Sequence, residues 1–390
     1  MSIALKQHKQ LEPDVHAQRA FHSSRIFAAA VVVIFLNFFC GLLYSNVYKA
    51  NQNLETSSQK QAAHLNRMRV FFEDLKEPPK LVLLGSSVIA VPFFLLDAEQ
   101  YPETNSNYFF RGFDIKSLDA RFFDGKNNAV INMGTDAAMI ADCYFLAHKF
   151  LLEKYKPGWI VLGVTPRDFS DTGPLKPSDS SQFYALSRIS DFPWVSQSYL
   201  PTYHEKIDYL IRHLFFFYAQ QNNLQTQSRV RFEQLLQRIS LRKDADLTTA
   251  VDSFSETNPR KKWERSQKEY ARHYQSLVPE RISASFGFLK MLIALCKEHH
   301  IQILLINMPL SVDNQELLPN GFYSNFREQL GEMADSESIP FVDCSEIAEF
   351  QNTDFSDGAH LNGFGAEKLL RNIRDAIGLR AFAPSSEKQK

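Results

Sequence analysis

Hydrophobic positions divide the chain into three stretches with different patterns. Residues 26–44 are apolar on every side, carry no charge, and include Asn37 as their one strongly polar member. About 20 helical residues cross the hydrocarbon of a bilayer, so residues 26–46 are expected to form a transmembrane helix. Residues 47–79 turn polar and helix-compatible, with Asn51, Gln52, Gln59, Lys60 and Gln61. They read as a stalk ended by Pro78-Pro79. From residue 80 onward, short apolar runs alternate with longer amphipathic ones.

The short runs read as strands: Lys80–Leu84, Ala129–Asn132, Trp159–Leu162, Ile301–Ile306 and Pro340–Asp343. Each is bounded by Gly, Pro or a small polar residue, as buried strands are. After the first, Gly85-Ser86-Ser87 makes a tight turn into a helix start, and the apolar stretch that follows is interrupted by Pro92. Ile140, Phe145, Leu146, Phe150 and Leu151 recur near helical spacing. They predict a helix from Ala137 to about Tyr155, capped by Asp136 and stopped by Lys156-Pro157-Gly158. Ile282–His299, Phe322–Ser336 and Gly363–Ile377 read as further helices.

Strands alternating with helices predict an α/β domain with a parallel sheet, helices on both faces, and a site at the carboxyl ends of the strands. Small and polar residues gather at those ends: Ser86, Ser87, Asn132, Gly134, Asp136, Arg167 and Asp168. Residues 172–280 break the rhythm. They open on the loop signature Thr172-Gly-Pro-Leu-Lys-Pro-Ser, hold the aromatic run Leu214–Tyr218, and read as a mostly helical insertion over the sheet edge or the site. The domain is expected to span residues 80–380, with 381–390 as a flexible Ser/Glu/Lys-rich tail.

Charge orients the chain. Lys6, Lys9, Arg19 and Arg25 precede the apolar run, and basic flanks stay cytoplasmic. The expectation is a single-pass membrane protein with residues 1–25 cytoplasmic and the main domain extracytoplasmic, periplasmic or at the cell surface. A cleaved signal peptide is the rival, but its apolar core runs about 7–15 residues and ends at small residues. The present run is longer, and Phe38-Phe39-Cys40 is a poor cleavage box.

Composition adds exclusions. Hydrophobic residues make up 44% and charged residues 22%, and 43 Lys+Arg against 44 Asp+Glu leave a net charge of −1. That is globular, without the basic excess of a nucleic-acid binder, and no nucleic-acid partner is expected. Two basic stretches stand out: Arg229, Arg231, Arg238, Arg242 and Lys243, then Arg260, Lys261, Lys262, Arg265, Lys268 and Arg272. They are either solvated helix faces or contacts to anionic lipid headgroups or an anionic glycan. Cys40, Cys143, Cys296 and Cys344 fit no zinc or redox spacing. The last three read as buried thiols, with one disulfide left open. No cofactor or metal is expected.

The chemistry centres on a serine and a histidine. Ser87 follows the first strand, beside the backbone N–H groups of a helix start, and its hydroxyl needs a base to become a nucleophile. His360 stands in Asp354-Phe-Ser-Asp357-Gly-Ala-His360. On one turn Asp357 can take the proton of one imidazole nitrogen while the other faces the serine, the arrangement of nucleophilic serine catalysis. The blander readings are helix caps for Ser86 and Ser87, a strand-end hydrogen-bonder for Asn132, a loop cap or Arg167 partner for Asp168, and a turn residue for Asp343.

This set resembles the SGNH (GDSL-type) hydrolase superfamily over about residues 80–170 and 282–377. Gly85-Ser86-Ser87 stands where the family commonly has Gly-Asp-Ser, and Asp357-Gly-Ala-His360 matches its Asp-x-x-His. Asn132-Met-Gly134-Thr-Asp-Ala137 stands for Asn-x-Gly-x-x-Gly, and Gly163-Val-Thr-Pro-Arg167-Asp168 for Gly-x-Asn-Asp.

The resemblance implies a three-layer α/β/α, flavodoxin-like domain with Ser87 as nucleophile, His360 as base and Asp357 orienting it. It places Ala137 at an oxyanion donor and groups Asn132, Gly134 and Arg167 with it. Arg167 is either a cationic donor or an anchor for an anionic substrate. The Gly-Ser-Ser form looks like the membrane-anchored acyl-transfer branches. The implied activity is that of an esterase or O-acyltransferase on acyl esters of cell-envelope carbohydrate, served in the transfer case by a membrane-embedded acyl-delivery protein. The alternative is a catalytically weak scaffold of the same fold that binds envelope polysaccharide or an assembly partner.

Overall fold

Five short runs with few polar side chains lie side by side as β1 (Leu81–Gly85), β2 (Val130–Asn132), β3 (Trp159–Val164), β4 (Gln302–Asn307) and β5 (Phe341–Asp343). All pairs are parallel, in the order β2-β1-β3-β4-β5, with Leu83 opposite Asn132 on one side and Val161 on the other. The computed structural model describes residues 28, 31–36, 39, 57–101, 113–123, 129–152, 155–170, 177–215, 258–275, 277–345 and 349–378. β1 and, after Trp159, β3 are buried, as parallel strands covered on both faces must be.

Side chains alternate across the sheet. Leu81, Leu83, Val161, Leu304 and Ile306 pack with the helices α2 (Ser87–Gln100), α3 (Lys116–Phe122) and α13 (Gly363–Ala376). The alternate positions, among them Val82, Leu84, Ile160 and Leu305, are equally buried. Across that face run α4 (Ile140–Leu146), α10 (Pro279–Glu298) and α12 (Phe322–Ser336). Phe169, Phe286 and Phe326 cluster there in tilted and edge-on contacts, with centroids 4.7–6.2 Å apart. The expected parallel α/β architecture is therefore present, and α2 runs on through Pro92.

Two expectations change. The helix predicted from Ala137 starts at Ile140, because Ala137 sits at φ +54, outside the helical region, and the N–H of Met139 is taken by Asp142 instead of the helix being capped by Asp136. It then widens into a π-helical turn at Ala147–Leu152. The expected stalk holds the helix α1 (Ser57–Asp74), which packs on the domain. Leu65, Met68, Phe72 and Leu75 are buried in one stripe, Phe72 stacks on Phe150, and Tyr155 Oη donates to the Leu75 carbonyl at 2.6 Å.

Two compact units are distinguished: residues 55–187 with 248–390, and residues 1–54 with 188–247. The first holds the sheet, the short helices α5 (Pro166–Ser170) and α6 (Ser181–Leu186), and α9 (Pro259–Tyr274) with α11 (Val312–Gln315). The second holds α7 (Phe192–Ser198) and α8 (Tyr203–Leu214), the latter opened by a Thr202–Glu205 capping box.

Residues 28, 31–36 and 39 are helical and exposed, and the rest of the expected 26–46 span lies outside the described residues. Among the described residues, no helix is long and apolar enough to cross a membrane. Residues 1–25, the basic stretch from Arg229 to Lys243, Phe216–Tyr218, Cys40 and the tail 381–390 also lie outside them. Cys143, Cys296 and Cys344 are buried free thiols.

Candidate active site

The site forms at the carboxyl ends of β1 and β3, where the strand order reverses, with loops from β2 and from the segment before α13 closing over it. Gly85 ends β1 at φ +148, and a Cβ there would strike the Gly163 carbonyl and Ile89. Only glycine lets the chain turn so sharply into α2. Ser86 is the N-cap, and Ser87, in the first turn, is buried.

His360 Nε2 lies 2.9 Å from Ser87 Oγ, and His360 Nδ1 lies 2.9 and 3.0 Å from the two Asp357 oxygens. With Nδ1–H donating to Asp357, Nε2 accepts from the serine hydroxyl. Asp357 Oδ1 also accepts the N–H groups of Ala359 and His360, each at 2.9 Å. Burial alone would raise the Asp357 pKa, but His360 and these two amides hold it well below the usual carboxylate range. The expected residues Ser87, His360 and Asp357 are thus brought together as a hydrogen-bonded chain.

The loop after β2 is fixed from several sides. Asn132 donates from Nδ2 to the Ala90 carbonyl at 3.0 Å and accepts the Gly134 N–H at Oδ1 at 3.0 Å. Thr135 N–H reaches the Gly85 carbonyl at 3.1 Å, and Gln182 Nε2 on α6 donates to Thr135 Oγ1 at 3.2 Å and the Asp136 carbonyl at 3.0 Å. A Cβ on Gly134 would lie 2.6 Å from that of Ala90. Asn132 and Gly134, expected to join the oxyanion group, therefore hold the loop in place and do not line the cleft. Ala137 follows in the left-handed conformation, at φ +54.

Arg167 lines the cleft as expected and is only 6% exposed. Phe169, buried two residues on, anchors α5 against Phe286 and Phe326. The Arg167 guanidinium lies 5.9 Å from the Tyr270 ring centroid, a cation–π contact. Asp168 accepts the Thr165 N–H at 2.8 Å and hydroxyl at 3.1 Å, so it closes its own loop. Burial pushes Asp168 up to about 6, against the pull of Arg167 and Thr165. Asp343 bonds Asn307, Arg327 and the Ser345 N–H, a brace between strand ends.

The sequence reading placed Asp136 at the strand ends but gave it only the part of a helix cap, and it missed the inner face of α9. Lys262, Arg265, Ser266, Glu269 and Tyr270 complete the lining with Ser87, Asp136, Arg167, Asp357 and His360, around about 80 Å³ of free volume. The second basic stretch is thus split. Arg260, Lys261, Lys268 and Arg272 face solvent, whereas Lys262 and Arg265 face the cleft, with Lys262 Nζ 3.9 Å from Asp357. The signal for this was Trp263, Ser266, Tyr270 and Tyr274, which recur at helical spacing between the charges. Among the described residues, no group of three or more His, Cys, Asp or Glu is arranged to hold a metal ion.

A family model described as "Protein of unknown function (DUF1574)" matches residues 113–373. The chain belongs to this family. The matched span takes in Arg167, α9, Asp357 and His360 and begins after Ser87.

No curated protein matches. Among solved structures, the chain is similar to a candidate acylhydrolase from Bacteroides fragilis, at 12% identity and TM-score 0.40, covering 81% of this chain and 96% of that one. A GDSL-like lipase from Bacteroides thetaiotaomicron matches at 11% identity and TM-score 0.37, covering 81% and 98%. A variant of an acetyl xylan esterase from Geobacillus stearothermophilus matches at 14% identity and TM-score 0.34, covering 78% and 97%.

Proposed function

We propose that this DUF1574 chain is an SGNH-type serine esterase or acyltransferase, and the hydrogen-bonded chain Ser87–His360–Asp357 at the strand ends carries the proposal. Ser87 Oγ attacks an ester carbonyl carbon and its proton passes to His360 Nε2, while the carbonyl π electrons move onto oxygen. Asp357, held ionised, steadies the imidazolium that results. When the oxyanion collapses, the C–O bond to the alcohol breaks and the leaving oxygen takes the proton from His360. The acyl-enzyme passes to water or to a sugar hydroxyl by the same steps in reverse. The N–H groups of Ser87 and Ala137 and the guanidinium of Arg167 are the donors for the oxyanion.

The small, polar cleft favours a short acyl group on a polar alcohol, and the uncharged run at 26–44 behind basic residues favours a membrane anchor with the domain outside. Acyl esters of cell-envelope carbohydrate meet both conditions. A binding scaffold is the rival reading, favoured by the charged wall that Lys262, Arg265 and Glu269 give the cleft.

The test is fluorophosphonate labelling of the full chain in detergent, with the adduct located by mass spectrometry. The expected result is an adduct on Ser87 that is lost in Ser87→Ala and His360→Ala. Absence of any adduct, under conditions that label a known serine esterase, overturns the proposal.

A further inference from the structure

We infer that the outer face of α8 lies against an anionic phospholipid bilayer, as a second membrane contact beside the N-terminal apolar run. The inference rests on the anchor reading of residues 26–44 and is independent of the chemistry at Ser87.

A helix on a globular unit normally turns its apolar stripe inward and its polar side to water. α8 is built the other way round. At 3.6 residues per turn, Tyr203, Ile207, Leu210 and Leu214 fall on one stripe, since each lies three or four residues from the next. Tyr203, Ile207 and Leu214 are 85%, 57% and 61% exposed, and Leu210 is half-buried. The other side of the helix is the one held by the protein. Tyr209 is buried there, with its Oη donating to the Arg188 carbonyl, and Asp208 and Arg212 pair with each other while partly buried. An apolar stripe left outside in this way marks a surface for a partner or a membrane.

Three observations favour lipid. First, α8 belongs to the same compact unit as residues 1–54, which contain the uncharged run 26–44. In that run residues 31–36 and 39 are 49–65% exposed, so one unit carries two exposed apolar helical surfaces. Second, the sequence leaves α8 through Leu214-Phe-Phe-Phe-Tyr218, as apolar as the stripe itself. Third, cations accompany the stripe. Lys206 Nζ lies 5.8 Å from the Tyr203 ring centroid, and residues 229–243 of the same unit hold five Lys and Arg against one acid, Glu233.

A helix with aliphatic and aromatic residues on one face and cations at its border lies in the plane of a membrane, with that face about 5–10 Å into the headgroup boundary. Tyr203 then sits at headgroup level, and the Lys206 ammonium reaches an anionic headgroup from there. A protein groove would cover the stripe too, but it gives the cations no task.

The test uses the full chain with Cys40→Ser, so that the remaining native thiols, Cys143, Cys296 and Cys344, are buried. A fluorophore is attached at Ile207→Cys or, on α12, at the exposed Glu332→Cys. The chain is reconstituted into vesicles of equal parts phosphatidylcholine and phosphatidylglycerol, with and without brominated acyl chains. Brominated lipid is expected to quench the label at position 207 about twofold or more and to leave the label at 332 unchanged. Adding Tyr203→Glu and Leu214→Glu, at exposed positions, should abolish the quenching while the chain still floats with the vesicles. Equal quenching at 207 and 332 in vesicle-bound chain, or quenching that survives the two Glu substitutions, overturns the inference and leaves the anchor reading intact. Shielding of the label at 207 in detergent that grows with protein concentration overturns it in favour of a second copy of the chain. A chain that does not float with the vesicles overturns the anchor reading and this inference together.

Discussion

The floor of the cleft and its α9 wall are held by different means. On the floor, Ser87 stands two residues past β1 and Arg167 three past β3, each set by a backbone turn, while His360 is turned by Asp357 three residues before it. The α9 wall is set by side chains from afar. Trp263 Nε1 donates to Asp313 at 2.7 Å, Tyr274 Oη to Asn314 at 3.2 Å, and Tyr270 and Tyr274 pack with Leu310, Leu318 and Ala359. Gly358 adds a close fit, since a Cβ there would lie 2.9 Å from Gln267 and 3.1 Å from Ser266. The floor holds the groups that bond-making chemistry requires within hydrogen-bond distance of one another. The wall supplies charge and shape, which decide what is bound.

The largest effect expected from this contrast is on the floor. Ser87→Ala and His360→Ala should each lower kcat on a small acetyl ester by about 10³–10⁶-fold, and the double variant by no more than either alone. Additive losses would mean that the two side chains do not act as one unit.

A second floor residue tests burial. The folded pKa of Asp168, about 6, lies above the ordinary carboxylate value of 3.8, so the folded state holds an extra proton between them. Its contribution to stability is present below about pH 4 and is lost as pH rises through about 6, amounting to about 2–3 kcal/mol. Denaturant melts of parent and Asp168→Asn at pH 4 and pH 7 should show the gap shifting by that amount in favour of the variant at pH 7. A constant gap rejects burial as the cause of the shift.

The wall should behave otherwise. Lys262→Ala and Arg265→Ala are expected to raise KM about tenfold for an anionic ester while kcat stays within about threefold, the pattern of lost uniform binding. A fall in kcat with unchanged KM would erase the distinction between wall and floor. The smallest effect is at Ala137, whose left-handed backbone costs about 1 kcal/mol for a residue with a Cβ. Ala137→Gly should raise stability by about that amount, read from the shift in denaturation midpoint.

Much of the floor was legible because its signals are local. Asp357 and His360 meet within one turn, and the strands are unbroken apolar runs whose ends moved by no more than two residues from their expected places. Asp136 was misread because its likeness to a helix cap is also local, while the left-handed turn at Ala137 that overrides it shows only in the folded backbone. Residues 57–75 hid a buried stripe, Leu65, Met68, Phe72 and Leu75, among polar neighbours, so a packed helix looked like a stalk. In α9 the charges dominated the reading, although aromatic residues set its inner face.

Sequence alone was therefore enough for the parallel α/β pattern, the order of its elements, and the pairing of Ser87 with Asp357 and His360. Periodicity and spacing act over one or two turns of chain, and these features need no more. Tertiary structure alone decided that α9 closes the cleft, that Arg167 lies over Tyr270, and that the chain takes a left-handed turn at Ala137. The first two join residues far apart in the chain. Such contacts depend on how helices pack on the finished sheet, and burial in that assembly is what raises the pKa values of Asp136 and Asp168.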